Sequence, residues 1–167
     1  MRIESSAFKD GYPIPERHTC DGSRTSPPLS FMDIPESARS LVLIMDDIDV
    51  PKSNRADGIW NHWLLWNIPP HCKGLGENVQ PPGVCGRTTG GETEYQPPCP
   101  PEGAHRYVFR LYALDIMLDL KYEKTRRDSL LKAMQGHILA EANLTGRYQR
   151  KTEPAPEPKS EAESFSR

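Results

Sequence analysis

No stretch of the 167-residue chain is apolar for anything near the roughly 20 residues that cross a bilayer; the longest such run lies around Leu41 to Met45. A transmembrane helix is therefore excluded, and stable membrane insertion is not expected. Met1 to Ser6 has no apolar stretch behind Arg2, so a secretory leader is not expected and a cytoplasmic location is. Charge of one sign is also missing: 21 Lys and Arg face 23 Asp and Glu, a formal net of −2 at pH 7, which leaves no field to hold a polyanion. Nucleic acid is not an expected partner. The four cysteines, Cys20, Cys72, Cys85 and Cys99, contain no C-x-x-C clamp. Four free thiols are expected, although an even count also allows two disulfides. G-x-S-x-G, H-E-x-x-H, G-x-x-x-x-G-K-[ST] and G-x-G-x-x-G are all absent. The chain is accordingly read as a non-enzyme with no metal and no cofactor.

What is present points to short segments joined by turns. Seventeen prolines and twelve glycines interrupt the chain too often for a long-helix bundle. Ser40 to Met45 is a continuous apolar run closed by Asp46 and Asp47, as in a strand covered on both faces. His62 to Ile68 and Tyr107 to Leu114 are rich in aromatic and aliphatic strand formers and end at Pro69 and Asp115. Trp60, Trp63 and Trp66 recur every third residue, but Gly58 and Pro69 bracket them too closely for a helix, so a strand is expected. The glycines between Gly83 and Gly91 read as turns. One helix is expected from Thr125 to Asn143: Thr125 to Asp128 fits a capping pattern, Leu130, Leu131, Met134, Ile138, Leu139 and Ala142 recur at helical spacing, and Gly146 offers a stop. His137 falls beside that stripe. Composition changes after Arg150, so residues 1–150 are read as one domain and 151–167 as a disordered, dispensable tail.

The polar residues of interest sit at strand ends. Asp47 and Asp49 are two apart, and in extended chain they share a side; His62 opens the second strand; His105 and Tyr107 share a face of the third, with Arg106 on the other. Each has a structural reading as well: an Asp-x-Asp turn, a core histidine, an ion-paired arginine. Together they form a candidate polar pocket, stiffened by the proline run Pro97 to Pro101, which offers few donors of its own, so the N–H groups of non-proline residues such as Cys99 or Ala104 are free to face an anion.

Asp47-Ile48-Asp49-Val50-Pro51, Trp60-Asn61-His62-Trp63, Asn67-Ile68-Pro69, Pro98-Cys99-Pro100-Pro101 and Gly103-Ala104-His105-Arg106-Tyr107 resemble, in order, the motifs of the phosphatidylethanolamine-binding protein family. Thr19-Cys20-Asp21-Gly22, Ser26-Pro27-Pro28-Leu29 and Gly146-Arg147-Tyr148 extend the likeness, which spans Phe8 to Arg150 and lies with the prokaryotic, Raf kinase inhibitor-like branch. The resemblance implies an all-β, Greek-key antiparallel two-sheet β-sandwich with a C-terminal helix, and a pocket for phosphate, phosphorylated small molecules or phospholipid headgroups. It assigns Asp47, His62, His105 and Tyr107 to the ligand, and Asp49, Pro98, Cys99 and Arg106 to supporting the pocket. It also raises a partner protein such as a kinase as an alternative, an acid-base or metal enzyme as a more remote one, and a homodimer, for which the three tryptophans offer an aromatic patch. Ile48 and Val50 stand where the family motif D-P-D-A-P has proline and alanine, so the first loop is expected to be less rigid, and Pro97 replaces a usual glycine before Pro98-Cys99.

Overall fold

The computed structural model describes residues 1–151. Two antiparallel sheets pack face to face. The smaller contains β1 (Arg2–Glu4), β2 (Leu29–Met32) and β5 (Gly74–Leu75) in the order β1-β2-β5. The larger contains β3 (Ser40–Asp47), β4 (Trp60–Ile68), β6 (Val84–Cys85), β7 (His105–Leu114) and β8 (Ile138–Tyr148) in the order β6-β4-β3-β7-β8. The three expected strands are its centre. The neighbouring of β3 and β7 skips over β4 to β6, so the sheet closes by a long crossover of the kind a Greek key requires. This is the expected all-β sandwich.

Every residue of β3 is buried, because alternate side chains enter two different cores. Leu41, Leu43 and Met45 face the small sheet and meet Trp63, Leu65, Phe109, Leu111 and Phe31. Val42 and Ile44 face the other way, with Leu64, Trp66 and Leu114, and are covered by Leu130 and Met134 of the helix α1 (Arg127–Met134). Each fully buried Leu or Ile contributes roughly 1.5–3 kcal/mol of transfer free energy, so a strand clad on both sides is worth more per residue than any edge strand.

The helix is shorter than the sequence suggests. It ends at Met134, and Gly136 takes φ of 80°, a conformation that closes the helix and is open to glycine without strain. From Ile138 onward the chain pairs with β7 along eleven residues, so sheet pairing overrides a local helical pattern. Ile138 and Leu139, counted as part of the apolar stripe, are exposed. Gly146 is a strand residue rather than a helix stop: a Cβ there would strike Ile14. Thr125 does not cap either; its hydroxyl donates to Lys121 O at 2.8 Å, while Ser129 Oγ accepts the Arg126 N–H at 3.0 Å.

β8 is the edge of the large sheet, and the N-terminal segment covers its last part. Gly11 and Ile14 donate N–H bonds to Thr145 O and Arg147 O at 2.7 and 2.8 Å, and the Arg147 N–H returns one to Tyr12 O at 3.0 Å. Asp10 Oδ1 accepts from Thr145 N–H at 2.8 Å. Trp63 and Trp66 are buried, which removes them from the aromatic patch expected for a homodimer; only Trp60 is partly exposed. Of the tail 151–167 only Lys151 is described, its Nζ 2.7 Å from Glu16 Oε2; residues 152–167 lie outside the described residues.

Candidate functional site

At one end of the large sheet β3 finishes where its antiparallel neighbours β4 and β7 begin, and the last residue of β3 and the first residues of β4 and β7 line a cleft of about 860 Å³. That is within the ~300–1,000 Å³ of small-molecule sites. Asp47 and Tyr107 lie directly opposite each other in the β3–β7 register. His62 is the third residue of β4, at a break in its register with β3, and its ring meets Tyr107 edge-on with centroids 5.3 Å apart. His105 is the first residue of β7. Asp47, His62, His105 and Tyr107 are therefore gathered in one place, all buried and all lining the cleft.

The hydrogen bonds orient both imidazoles. His105 Nδ1 donates to Asp47 Oδ2 at 2.6 Å, and His62 Nδ1 donates to the carbonyl of Gln96 at 2.9 Å. A carbonyl can only accept, so His62 carries its proton on Nδ1 and, when neutral, offers a lone pair at Nε2. Neither Nε2 has a protein partner among the described residues. Burial pushes the His62 pKa below its ordinary value, opposed by the Gln96 carbonyl and by the charges of Asp47 and Asp46. The Tyr107 hydroxyl is fully buried and has no partner among the described residues. Its pKa is driven up by burial and by the Asp47 charge, so it remains a neutral donor.

Asp49 does not share the pocket with Asp47. It binds Arg106 three times, accepting from its backbone N–H at 2.8 Å and from Nε and Nη2 at 2.9 and 2.8 Å. The Arg106 guanidinium holds the Asp49 carboxyl below the usual carboxylate range. The other Asp47 oxygen accepts the Asp49 N–H at 2.9 Å, so the Asp-x-Asp turn and the pocket aspartate are one feature. Ile48 uses its place in the loop: its N–H donates to Arg106 O at 3.1 Å, a bond that proline could not make. The loop loses a ring constraint and gains a hydrogen bond.

Four free thiols were expected, and the structure corrects this. Cys20 and Cys99 form a disulfide on the cleft wall, while Cys72 and Cys85 are free. Both bonded cysteines sit in polar, proline-rich loops 79 residues apart, with no local pattern to pair them. Pro98 is buried, and its carbonyl accepts the Cys20 N–H at 3.0 Å, so Pro98 and Cys99 do brace the wall. Ala104 lies elsewhere, in a shallower depression with Arg106 and Arg147. His137 is in the turn after α1, not on it, and faces Asp115 Oδ1 at 2.9 Å.

Sequence reasoning missed Gln96, Trp60 and Tyr95. Gln96 acts through its main chain, which carries no sequence signal. Tyr95 donates to His18 O at 2.7 Å and meets Trp63 edge-on at 5.3 Å; an aromatic ahead of a proline run is its one clue. No group of three or more metal-ligating side chains occurs among the described residues.

Comparison with known proteins agrees with this fold. The family model described as phosphatidylethanolamine-binding protein matches residues 4–149. A UPF0098 protein of Chlamydia trachomatis is 49% identical over 150 residues, covering 90% of this chain and 99% of the relative. A UPF0098 protein of the archaeon Methanothermobacter thermautotrophicus is 47% identical over 156 residues, covering 90% and 99%. The crystal structure of a phosphatidylethanolamine-binding protein homologue from Chlamydia trachomatis superposes with a TM-score of 0.87 at 48% identity, covering 90% of this chain and 97% of that one. Escherichia coli YbcL, described as a member of the mammalian family, superposes at 0.80 with 25% identity, covering 90% and 98%. With the ordered motifs, the two-sheet fold and these relatives in agreement, the chain belongs to the phosphatidylethanolamine-binding protein family, in its bacterial and archaeal branch.

Proposed function

We propose that the cleft binds a phosphate-bearing small molecule or phospholipid headgroup without transforming it. One observation carries this reading: two buried imidazoles, each held by its Nδ1, leave both Nε2 atoms without a protein partner in the cleft beside a partnerless Tyr107 hydroxyl. A phosphate has what this set lacks. The monoanion of inorganic phosphate or of a phosphomonoester carries an O–H to donate to a neutral Nε2, and the dianion accepts from a protonated one; both combinations hold the same number of protons, whereas a phosphodiester headgroup only accepts. Tyr107 supplies a further neutral donor. Asp47 is spent on His105 and on the Asp49 N–H, which reduces its repulsion toward the anion.

Enzyme chemistry fits less well. Cys85 is the free thiol on the cleft, and burial raises its pKa, away from the thiolate that nucleophilic catalysis uses. Docking of a phosphorylated segment of a partner protein, such as a kinase, draws on the same groups and is separated by whether free phosphate suffices. A cytoplasmic location belongs to this reading; no helix among the described residues is long and apolar enough to cross a membrane. Titration with inorganic phosphate, followed by the imidazole NMR signals of His62 and His105, tests it. Both rings should shift together at millimolar phosphate. Unmoved rings in the oxidised protein would overturn the proposal.

A further inference from the structure

Gln96 to Gly103 forms a strap along the cleft, and it connects the two histidines. Its first residue presents the carbonyl that orients His62, and its last lies two residues before His105. Pro97, Pro98, Pro100 and Pro101 have no N–H, so the strap has few means of tying itself down. Gln96 N–H bonds His62 O at 2.8 Å, and Cys20 N–H bonds Pro98 O at 3.0 Å. Gln96 Nε2 also donates to Glu92 Oε2, and Pro98 and Pro100 are buried; the covalent hold is the Cys20–Cys99 disulfide, which joins the strap to the loop after the short 3-10 turn Glu16–His18. Cys99 is exposed and Cys20 half-buried, so a reductant can reach the bond without unfolding the core.

We propose that this disulfide is a redox latch on the anion site, and that its reduction loosens the strap and weakens ligand binding. This rests on the anion-binding reading of the cleft. The reductant is a dithiol: it delivers two electrons and two protons, the Cys20–Cys99 bond breaks to two thiols, and the dithiol closes to its own disulfide. The released strap frees the Gln96 carbonyl from its fixed place over His62 and slackens the approach to His105, so both Nε2 atoms lose their alignment. The core face of β3, β4 and β7 is untouched, because the latch joins two loops. The same protein then has a tight and a loose form set by the thiol poise around it.

Thiol titration of denatured, unreduced protein should find two thiols, rising to four after dithiothreitol; four at the outset would overturn the latch. Inorganic phosphate affinity, measured by calorimetry, should fall about tenfold on reduction and recover on reoxidation. Cys20→Ser/Cys99→Ser should bind as weakly as reduced protein and ignore the reductant, while Cys72→Ser should keep the full response. Equal affinity of the oxidised and reduced forms would refute the latch and leave the anion site standing. If oxidised protein binds no phosphate, the anion site fails instead, and amide hydrogen exchange decides the latch alone. Faster exchange at Cys99, Gly103 and Ala104 on reduction, with β3 unchanged, supports it; identical exchange rejects it. The exchange experiment uses wild-type protein, so it holds even if the double variant does not fold.

Discussion

Asp46 and Asp47 are neighbours on β3, both buried, and they point to opposite faces of the large sheet with opposite outcomes. Asp46 is closed in on the helix side: Oδ2 accepts from Arg110 Nη1 at 2.8 Å and Arg127 Nε at 2.9 Å, and Oδ1 from Asn61 Nδ2 at 3.0 Å. Every partner in that cluster is protein. Asp47 is engaged as well, but its partner His105 keeps one nitrogen open to the cleft. The same residue type at the same depth therefore builds a brace on one face and a binding site on the other. The deciding quantity is the hydrogen-bonding capacity left over after folding, not the carboxylate itself.

The comparison is most sharply tested by removing Asp46. Asp46→Ala leaves two arginines facing each other across a buried hole, and loss of one partner of a buried pair costs about 3–5 kcal/mol. A value near the lower end is expected in urea unfolding, since Arg110 and Arg127 retain contact with water. Phosphate affinity should be unchanged wherever the variant is folded. If Asp46→Ala abolished binding in folded protein, the two faces would not be independent. Next in size is His62→Ala, which removes a charge-assisted donor worth roughly 1.5–3 kcal/mol and should weaken phosphate binding ~10- to 150-fold. Its effect on urea stability should be smaller than that of Asp46→Ala.

Acidity offers a graded test. Above both the imidazole and the phosphate pKa the site must take up one proton to bind, so affinity should fall by up to ~10-fold per pH unit as pH rises. Without ligand the sign reverses. The His62 pKa is lowered in the folded chain, so the unfolded chain binds protons first and stability declines as pH drops below about 6.5. A phosphate affinity flat from pH 6 to 9 would exclude the shared-proton picture. The smallest effect expected is that of His137→Ala. Its pair with Asp115 is open to solvent, and such pairs are worth about 0–1 kcal/mol, so neither stability nor phosphate affinity should move appreciably.

The sequence discloses the pocket better than the edges. β3, β4 and β7 are legible because both sheet faces are covered, which forces apolar runs with polar residues only where the strands emerge. Those emergent residues, Asp47, His62, His105 and Tyr107, are the ones the cleft gathers. Asp46 was visible as an end marker but not as a brace, because its arginines come from β7 and α1, 64 and 81 residues away. The first part of β8, up to Asn143, reads as helix because Ile138, Leu139 and Ala142 satisfy a 3.6 period by chance, and only pairing with β7 decides between the two. β1, β2, β5 and β6 are too short to carry a pattern. The Cys20–Cys99 bond depends on two loops meeting across the cleft, information that resides in the fold and in no local spacing.

The clasp of residues 10–14 on β8 has a temporal consequence. Asp10 and Thr145, which share a hydrogen bond, are 135 residues apart, so residues 10–14 must wait for β8 to be made before they can dock. Until then the open side of β7 has no partner, and the large sheet cannot be completed before β8 has been synthesised. Contacts this distant in sequence also slow folding, because their loop entropy is lost before the pairing compensates. Docking of residues 10–14 on β8 is thus a late step in the folding of this domain.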